Sequence, residues 1–321
     1  MSTNPARLHA VGAPEDVRGD LEDALFEIKR VIVGQEAMLE RVLVALLAGG
    51  HVLLEGVPGL AKTLTIKTVA DVLGGTFNRI QFTPDLVPSD LVGTRVLRPD
   101  TGQFDTELGP VFANFLLADE INRAPAKVQS ALLEVMQERQ VTIGTRTHPV
   151  PKPFLVLATQ NPIESEGTYP LPEAQVDRFM MRLSMGYPSA AAEAAMLLAH
   201  EMGDRVATVE PVASAADVLM AQQAADRIRA TEPLRQYVVG VLQRTREDPR
   251  LELGASPRSG LMLLRAAKAR ALLQGRDHAL PDDVQALAQP VLSHRLVLAP
   301  EAVDATADEV VAAALAHTPA F

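Results

Sequence analysis

The stretch His51-Val52-Leu53-Leu54-Glu55-Gly56-Val57-Pro58-Gly59-Leu60-Ala61-Lys62-Thr63 decides how the rest of this chain is read. His51–Glu55 is an apolar run of strand length, and Lys62–Leu73 has helical spacing that stops at Gly74-Gly75. A strand, a Gly-rich turn and a helix opening on Lys-Thr together make a phosphate-binding loop. The loop residues Gly56, Val57, Pro58, Gly59, Leu60 and Ala61 wrap an anion toward which the backbone N–H groups and the helix dipole point. Lys62 adds a point charge at the β/γ-phosphates, and Thr63 offers a hydroxyl to magnesium. Ala61 stands where the general pattern has its last Gly; that position opens the helix, where φ is negative, so a methyl group is tolerated. The bland alternative is an ordinary strand-to-helix turn with a solvent-facing lysine. By itself the loop separates neither ATP from GTP nor binding from hydrolysis.

Moving outward, Phe77–Phe82, Asn114–Ala118, Phe154–Thr159 and Phe179–Ser184 read as further strands, with Ala126–Arg139 helical. Strands alternating with helices imply an α/β layered fold with a mostly parallel sheet. The run Phe115-Leu116-Leu117-Ala118-Asp119-Glu120 is an apolar strand ending in two acids, at the edge where an open α/β sheet places its site. Asp119 suits a magnesium ion held through its water shell, and Glu120 suits a general base that polarises an attacking water. Adjacent acids are common in exposed turns, so the upstream loop is what gives this pair its meaning.

Two segments interrupt the alternation. Residues 94–109 and 140–153 both read as β-hairpin insertions, turning at Pro99-Asp100-Thr101-Gly102 and at Gly144-Thr145. Taken alone, they read as surface decoration. Residues 1–15 lack periodicity and form a flexible lead-in, 16–187 the nucleotide-binding core, and 188–321 a smaller helical domain. Helices are expected there at 190–203, 215–231, 234–247, 258–274, 281–293 and 302–316, with no strand after about Pro188.

Composition narrows the classes. Of 321 residues, 47% are hydrophobic and only 4% aromatic, so Ala, Leu and Val carry the packing. Thirty basic against forty acidic residues give a net charge of −10, which argues against broad binding to nucleic acid or anionic lipid. With no Cys, disulfides and thiolate metal sites are excluded, in keeping with a reducing compartment. No signal-peptide pattern and no apolar run near the roughly 20 residues of a spanning helix is present, so a cytoplasmic location is expected. His148, His278 and His294 lack zinc spacing and read as structural or solvated, and Met180-Met181 as strand packing.

At this point the residues resemble the AAA+ ATPases, and within them the MoxR family. The Gly-x-Pro-Gly-x-Ala-Lys-Thr loop is the usual MoxR form, so Ala61 matches the family. Val33-Gly34-Gln35 resembles its adenine-contacting segment, and Leu116-Leu117-Ala118-Asp119-Glu120-Ile121-Asn122-Arg123-Ala124 its acidic strand end. Ala158-Thr159-Gln160-Asn161-Pro162 resembles the sensor-1 strand, and Leu171-Pro172-Glu173-Ala174-Gln175-Val176-Asp177-Arg178-Phe179 the segment that follows it. Gly254-Ala255-Ser256-Pro257-Arg258 resembles the start of the lid helix that carries sensor 2. The likeness covers about residues 20–295, and its ordered motifs are highly specific.

The resemblance implies ATP and magnesium as ligands, an α/β core with a smaller all-α lid, and a homo-oligomeric ring, commonly of six subunits. It assigns Val33 and Gly34 to the nucleotide base and Asn161 to the attacking water or γ-phosphate. Arg178 becomes an arginine finger reaching a neighbour's γ-phosphate, Arg258 a lid residue on the same group, and Arg123 a candidate interface residue. The ordinary readings are a turn Asn before Pro162, an ion pair of Arg178 with Asp177 or Glu173, and a helix-start Arg258. Both hairpins fall where related proteins line a central pore. The implied activity is remodelling, assembly or activation of partner proteins, with a von Willebrand factor A domain protein as a candidate partner. A nucleotide-gated scaffold with slow hydrolysis and, more remotely, a nucleic-acid motor are the competing functions.

Overall fold

The computed structural model describes residues 14–32, 35–56, 62–100, 102–160, 168–187 and 209–320, with a few positions between 190 and 194. Two helices, α1 (Pro14–Val31) and α2 (Glu36–Leu47), precede β1 (Val52–Gly56), which runs into α3 (Lys62–Val72) and β2 (Phe77–Gln81). The first helix starts two residues inside the expected lead-in, and residues 1–13 lie outside the described residues. A short helix α4 (Pro88–Val92), absent from the sequence reading, opens the first hairpin, β3 (Gly93–Arg98) and β4 (Gln103–Leu108). Then come β5 (Phe115–Asp119), α5 (Ala126–Glu138), the second hairpin β6 (Gln140–Ile143) and β7 (Arg146–Pro149), and β8 (Leu155–Gln160). The one-turn helix α6 (Glu173–Val176) and β9 (Met181–Met185) complete the core.

Five strands form one sheet in the order β2-β5-β8-β1-β9, every pair parallel. Their apolar character explains this: β5 and β8 are buried on both faces, as parallel strands flanked by helices must be. From β1 the chain crosses by α3 to the far edge and works back, so the order reverses beside β1. That reversal opens a crevice at the strands' carboxyl ends. One apolar core lies between the sheet, α1–α3 and the C-terminal helices; a second, with Phe82, Leu116, Leu132 and Phe179, fills the opposite side.

The hairpins differ. In β3–β4 most side chains are exposed, among them Leu97, Phe104 and Leu108, and the Arg95 guanidinium lies 4.7 Å over the Phe104 ring. The β6–β7 hairpin tucks Val141 and Ile143 into the second core. They approach each other at Gly144, whose φ of 63° suits glycine and where a Cβ would come within 2.7 Å of Arg95.

The C-terminal unit contains α7 (Ala215–Arg227), α8 (Glu232–Glu247), α9 (Pro257–Leu273), α10 (Pro281–Leu292) and α11 (Ala307–Ala316). Ser214, Thr231, Ser256 and Thr306 each accept a backbone N–H at a helix start, which explains where four of these helices begin. Most of the expected 190–203 helix lies outside the described residues. The expectation of no strand after Pro188 needs correction: β10 (Leu251–Leu253) pairs antiparallel with β11 (Val297–Leu298). Five residues in total are too few for any alternation to register.

This unit is docked on the core. Gln222 donates to Leu46 O at 2.7 Å, and Arg270 reaches Glu40 of α2 at 3.2 Å. Arg270 and Arg276 also bond the fully buried Asp283, which accepts the Leu280 N–H at the start of α10. At the start of β1, Gly50 gives room to Met180: a Cβ there would lie 2.5 Å from the Met180 Cβ.

Candidate active site

Lys62 is the first residue of α3, and its half-buried amine donates to Gly56 O at the end of β1, at 2.7 Å. Burial lowers the amine below its usual pKa, while Asp119 and Glu120 pull it back up. Both acids belong to the end of β5, two places across the sheet from the strand that leads into Lys62. Thr63 follows on the same half-buried first turn. Val33, Gly34 and the loop residues Val57, Pro58, Gly59, Leu60 and Ala61 lie outside the described residues, as does Asn161.

Asp119 ends β5, and its two oxygens are taken differently. Oδ1 accepts the Thr159 hydroxyl at 2.6 Å, and Oδ2 accepts Arg79 of β2 at 2.7 Å. Glu120 follows with φ 56° and ψ 49°, a left-handed conformation rarely adopted outside glycine. Its N–H donates to Thr159 Oγ1 at 2.9 Å, and its Oε2 accepts from Gln81 at 2.8 Å, with Arg123 at 3.3 Å. A buried hydroxyl on β8 thus serves both acids, holding Asp119 and the turned backbone of Glu120 in one geometry. A backbone held in such a conformation by its surroundings is a mark of functional sites.

Magnesium keeps several waters and needs only one or two protein oxygens beside phosphates. Asp119 and Thr63 carry oxygen donors of the kind such an ion takes. Among the described residues no group of three or more His, Asp or Glu could cage an ion alone.

Arg178 follows α6 and is half-buried, and among the described residues it has no carboxylate partner. Its expected alternative partner Asp177 is occupied elsewhere, by Arg295 at 2.8 Å and Arg258 at 3.7 Å. Arg258 opens α9 with half its side chain exposed. Arg295 is almost fully buried; burial lowers its pKa to about 10 while Asp177 opposes that shift, so it remains a cation at neutral pH. His294 beside it is buried, with Nε2 3.2 Å from Phe179 O, and burial keeps it neutral. Sequence reasoning missed Arg79, Gln81, Thr159 and Arg295. The first three lie on the strand ends already singled out, so the signal was their position beside Asp119, not a motif.

A lysine at the start of the helix after β1, acids ending a parallel strand two places across the sheet, and a helical unit reaching back with Arg258 define a P-loop ATPase of the AAA+ class. The profile of the ATPase family associated with various cellular activities (AAA) matches residues 51–181, and that of the AAA lid domain matches 243–314. The chain is 53% identical to "Chaperone MoxR1" of Mycobacterium tuberculosis, over 96% of this chain and 84% of that protein. It is 34% identical to "Protein MoxR" of Methylorubrum extorquens, over 85% and 86% of the two chains. A crystallised Cytophaga hutchinsonii protein, provisionally designated an ATPase, superposes with a TM-score of 0.90 at 43% identity, covering 96% of this chain and 97% of that one. The chain belongs to the MoxR family of AAA+ ATPases.

Proposed function

We propose that this chain hydrolyses ATP with magnesium and uses the turnover to remodel, assemble or activate partner proteins, as a chaperone of the MoxR kind. The observation that carries the reading is the Thr159 hydroxyl shared between Asp119 Oδ1 and the Glu120 N–H, which aims two acids of different task from one strand end. In the working site Val33 and Gly34 hold the base, and residues Gly56 to Ala61 wrap the phosphates. Lys62 exchanges Gly56 O for phosphate oxygens. Thr63 and Asp119 hold the magnesium, whose charge offsets that of the phosphates. Glu120 accepts the proton of the attacking water, which Asn161 helps to orient.

Arg178 has no carboxylate of its own among the described residues, which suits an arginine directed at a neighbouring subunit's nucleotide. A ring, six-membered by family likeness, follows from a finger acting in trans. Arg258 reports the γ-phosphate from the lid. The exposed Leu97, Phe104 and Leu108 of the first hairpin suit a surface facing client or pore. A von Willebrand factor A domain protein is the proposed partner and the cytoplasm the proposed compartment. No described helix is long and apolar enough to cross a membrane. The test is Glu120→Gln: nucleotide binding should persist while turnover falls, and the stalled form should retain clients that the wild type releases. Undiminished hydrolysis by that variant would overturn the assignment.

A further inference from the structure

Arg295 grips the backbone on both sides of Arg178. Its guanidinium donates to Asp177 O at 3.1 Å and Phe179 O at 2.6 Å, the carbonyls flanking residue 178, and to Met180 O at 3.3 Å. The same group bonds Asp177 Oδ1 at 2.8 Å and, within its own domain, Val291 O. One planar, permanently charged fork thus spans the last turn of α10 and the turn that carries Arg178. On the core side, Arg178 donates its own N–H to Gln175 O at 3.2 Å, within the single turn of α6 and the bend that follows it.

From this we infer that Arg295 is a positioning residue for Arg178, coupling the lid to the arginine this subunit offers its neighbour. The inference rests on the proposal that Arg178 acts in trans. The neighbouring contact gives the coupling a sense. Arg258 shares Asp177 at 3.7 Å with half its side chain in solvent, so it can leave for a phosphate without undoing the Arg295 clamp. Nucleotide drawn to Arg258 would then shift the lid, and Arg295 would carry that shift to Arg178. One subunit's occupancy would set how well it serves the next subunit's hydrolysis.

Mixed assemblies test this. A Glu120→Gln subunit offers its arginine but hydrolyses very slowly, whereas an Arg178→Ala subunit keeps its own site and needs a neighbour's arginine. Mixing them should restore turnover above either alone. Placing Arg295→Lys in the Glu120→Gln donor should cut the recovery about tenfold or more, because small misplacements of a catalytic group cost that much. The KM for ATP should stay unchanged, since the responding sites are untouched. Full recovery with that donor would overturn the inference and leave the trans arrangement standing. Failure of the first mixture to recover would instead overturn the trans reading, and the inference with it. If Arg295→Lys does not fold, Asp177→Asn serves as donor under the same criterion, since it removes the carboxylate that anchors the Arg295 guanidinium beside the Arg178 backbone.

Discussion

The two acidic stations at this site are built on opposite principles. Asp119 and Glu120 are held within the core domain, by Thr159, Arg79 and Gln81 from adjoining strands and by Arg123 on the turn that follows. Asp177 lies on a short turn and takes its partners, Arg258 and Arg295, from the other domain. A strand network is rigid and set by registers such as Gln81↔Asp119, whereas a domain junction moves whenever the lid does. On the proposed function, chemistry is preorganised on the sheet and control is placed where two bodies meet.

The contrast can be broken most forcefully at Glu120. Replacing it with Gln should lower kcat by about 10²- to 10⁴-fold while ATP affinity stays within a few-fold, read by steady-state turnover and equilibrium binding. On the lid side, Asp283→Ala strips a buried carboxylate from Arg270, Arg276 and the Leu280 N–H. A loss of about 3 kcal/mol is expected in chemical denaturation, the low end for a broken buried pair because both arginines can turn to water. Thr159→Val should cost about 10–100-fold in turnover with little change in melting, since it loosens the groups behind the ligands. If it unfolds the protein instead, the hydroxyl is structural and the contrast fails.

The smallest effect is a pH slope. His51, buried immediately before β1, accepts the Val156 N–H on Nδ1 at 3.0 Å, with Nε2 3.1 Å from Met136 O, an arrangement for the neutral ring. Burial, aided by Arg139, lowers its pKa from 6.5 to about 3. A folded-state pKa below the unfolded one means its stabilisation is complete above about 6.5 and drains as pH falls toward 3. The core should lose about 1.4 kcal/mol per pH unit in that window. Asp283 sets a contrasting limit for the lid. Although burial opposes it, bonds from Arg276, Leu280 and Arg270 hold its carboxyl below the usual range. Its contribution should persist until the pH drops below about 3.8 and then fade. Melting curves of wild type and His51→Gln from pH 7.5 to 5 would separate the two, because the variant should lose the slope.

The strands of the large sheet were legible because each is a short apolar run between turn residues, and observed limits differ by only a residue or two. Phe179 is the instructive exception: expected to open β9, it lies in the preceding bend, where its carbonyl serves Arg295. The places of Lys62 at a helix start and of Asp119 and Glu120 at a strand end were legible because apolar runs bracket each of them. Arg79 and Gln81 were not, since a polar residue on an edge strand ordinarily faces water. Asp177 and Arg295 stand 118 residues apart, and no local pattern joins them. Nor could spacing tell that Asp177 would turn away from Arg178 toward the lid.

Gly50 carries a consequence for how this protein can vary. The absent methyl group is the space into which Met180 settles, and Met180 follows directly on the Arg178–Phe179 turn. Any side chain at position 50 would push on that turn from beneath, through packing alone, with no charged or nucleotide-binding residue altered. With Arg178 acting in trans as proposed, sequence drift there would alter cooperation between subunits before it altered the capacity of any one of them. In a collection of variants scored only on nucleotide binding, such a change would pass as silent.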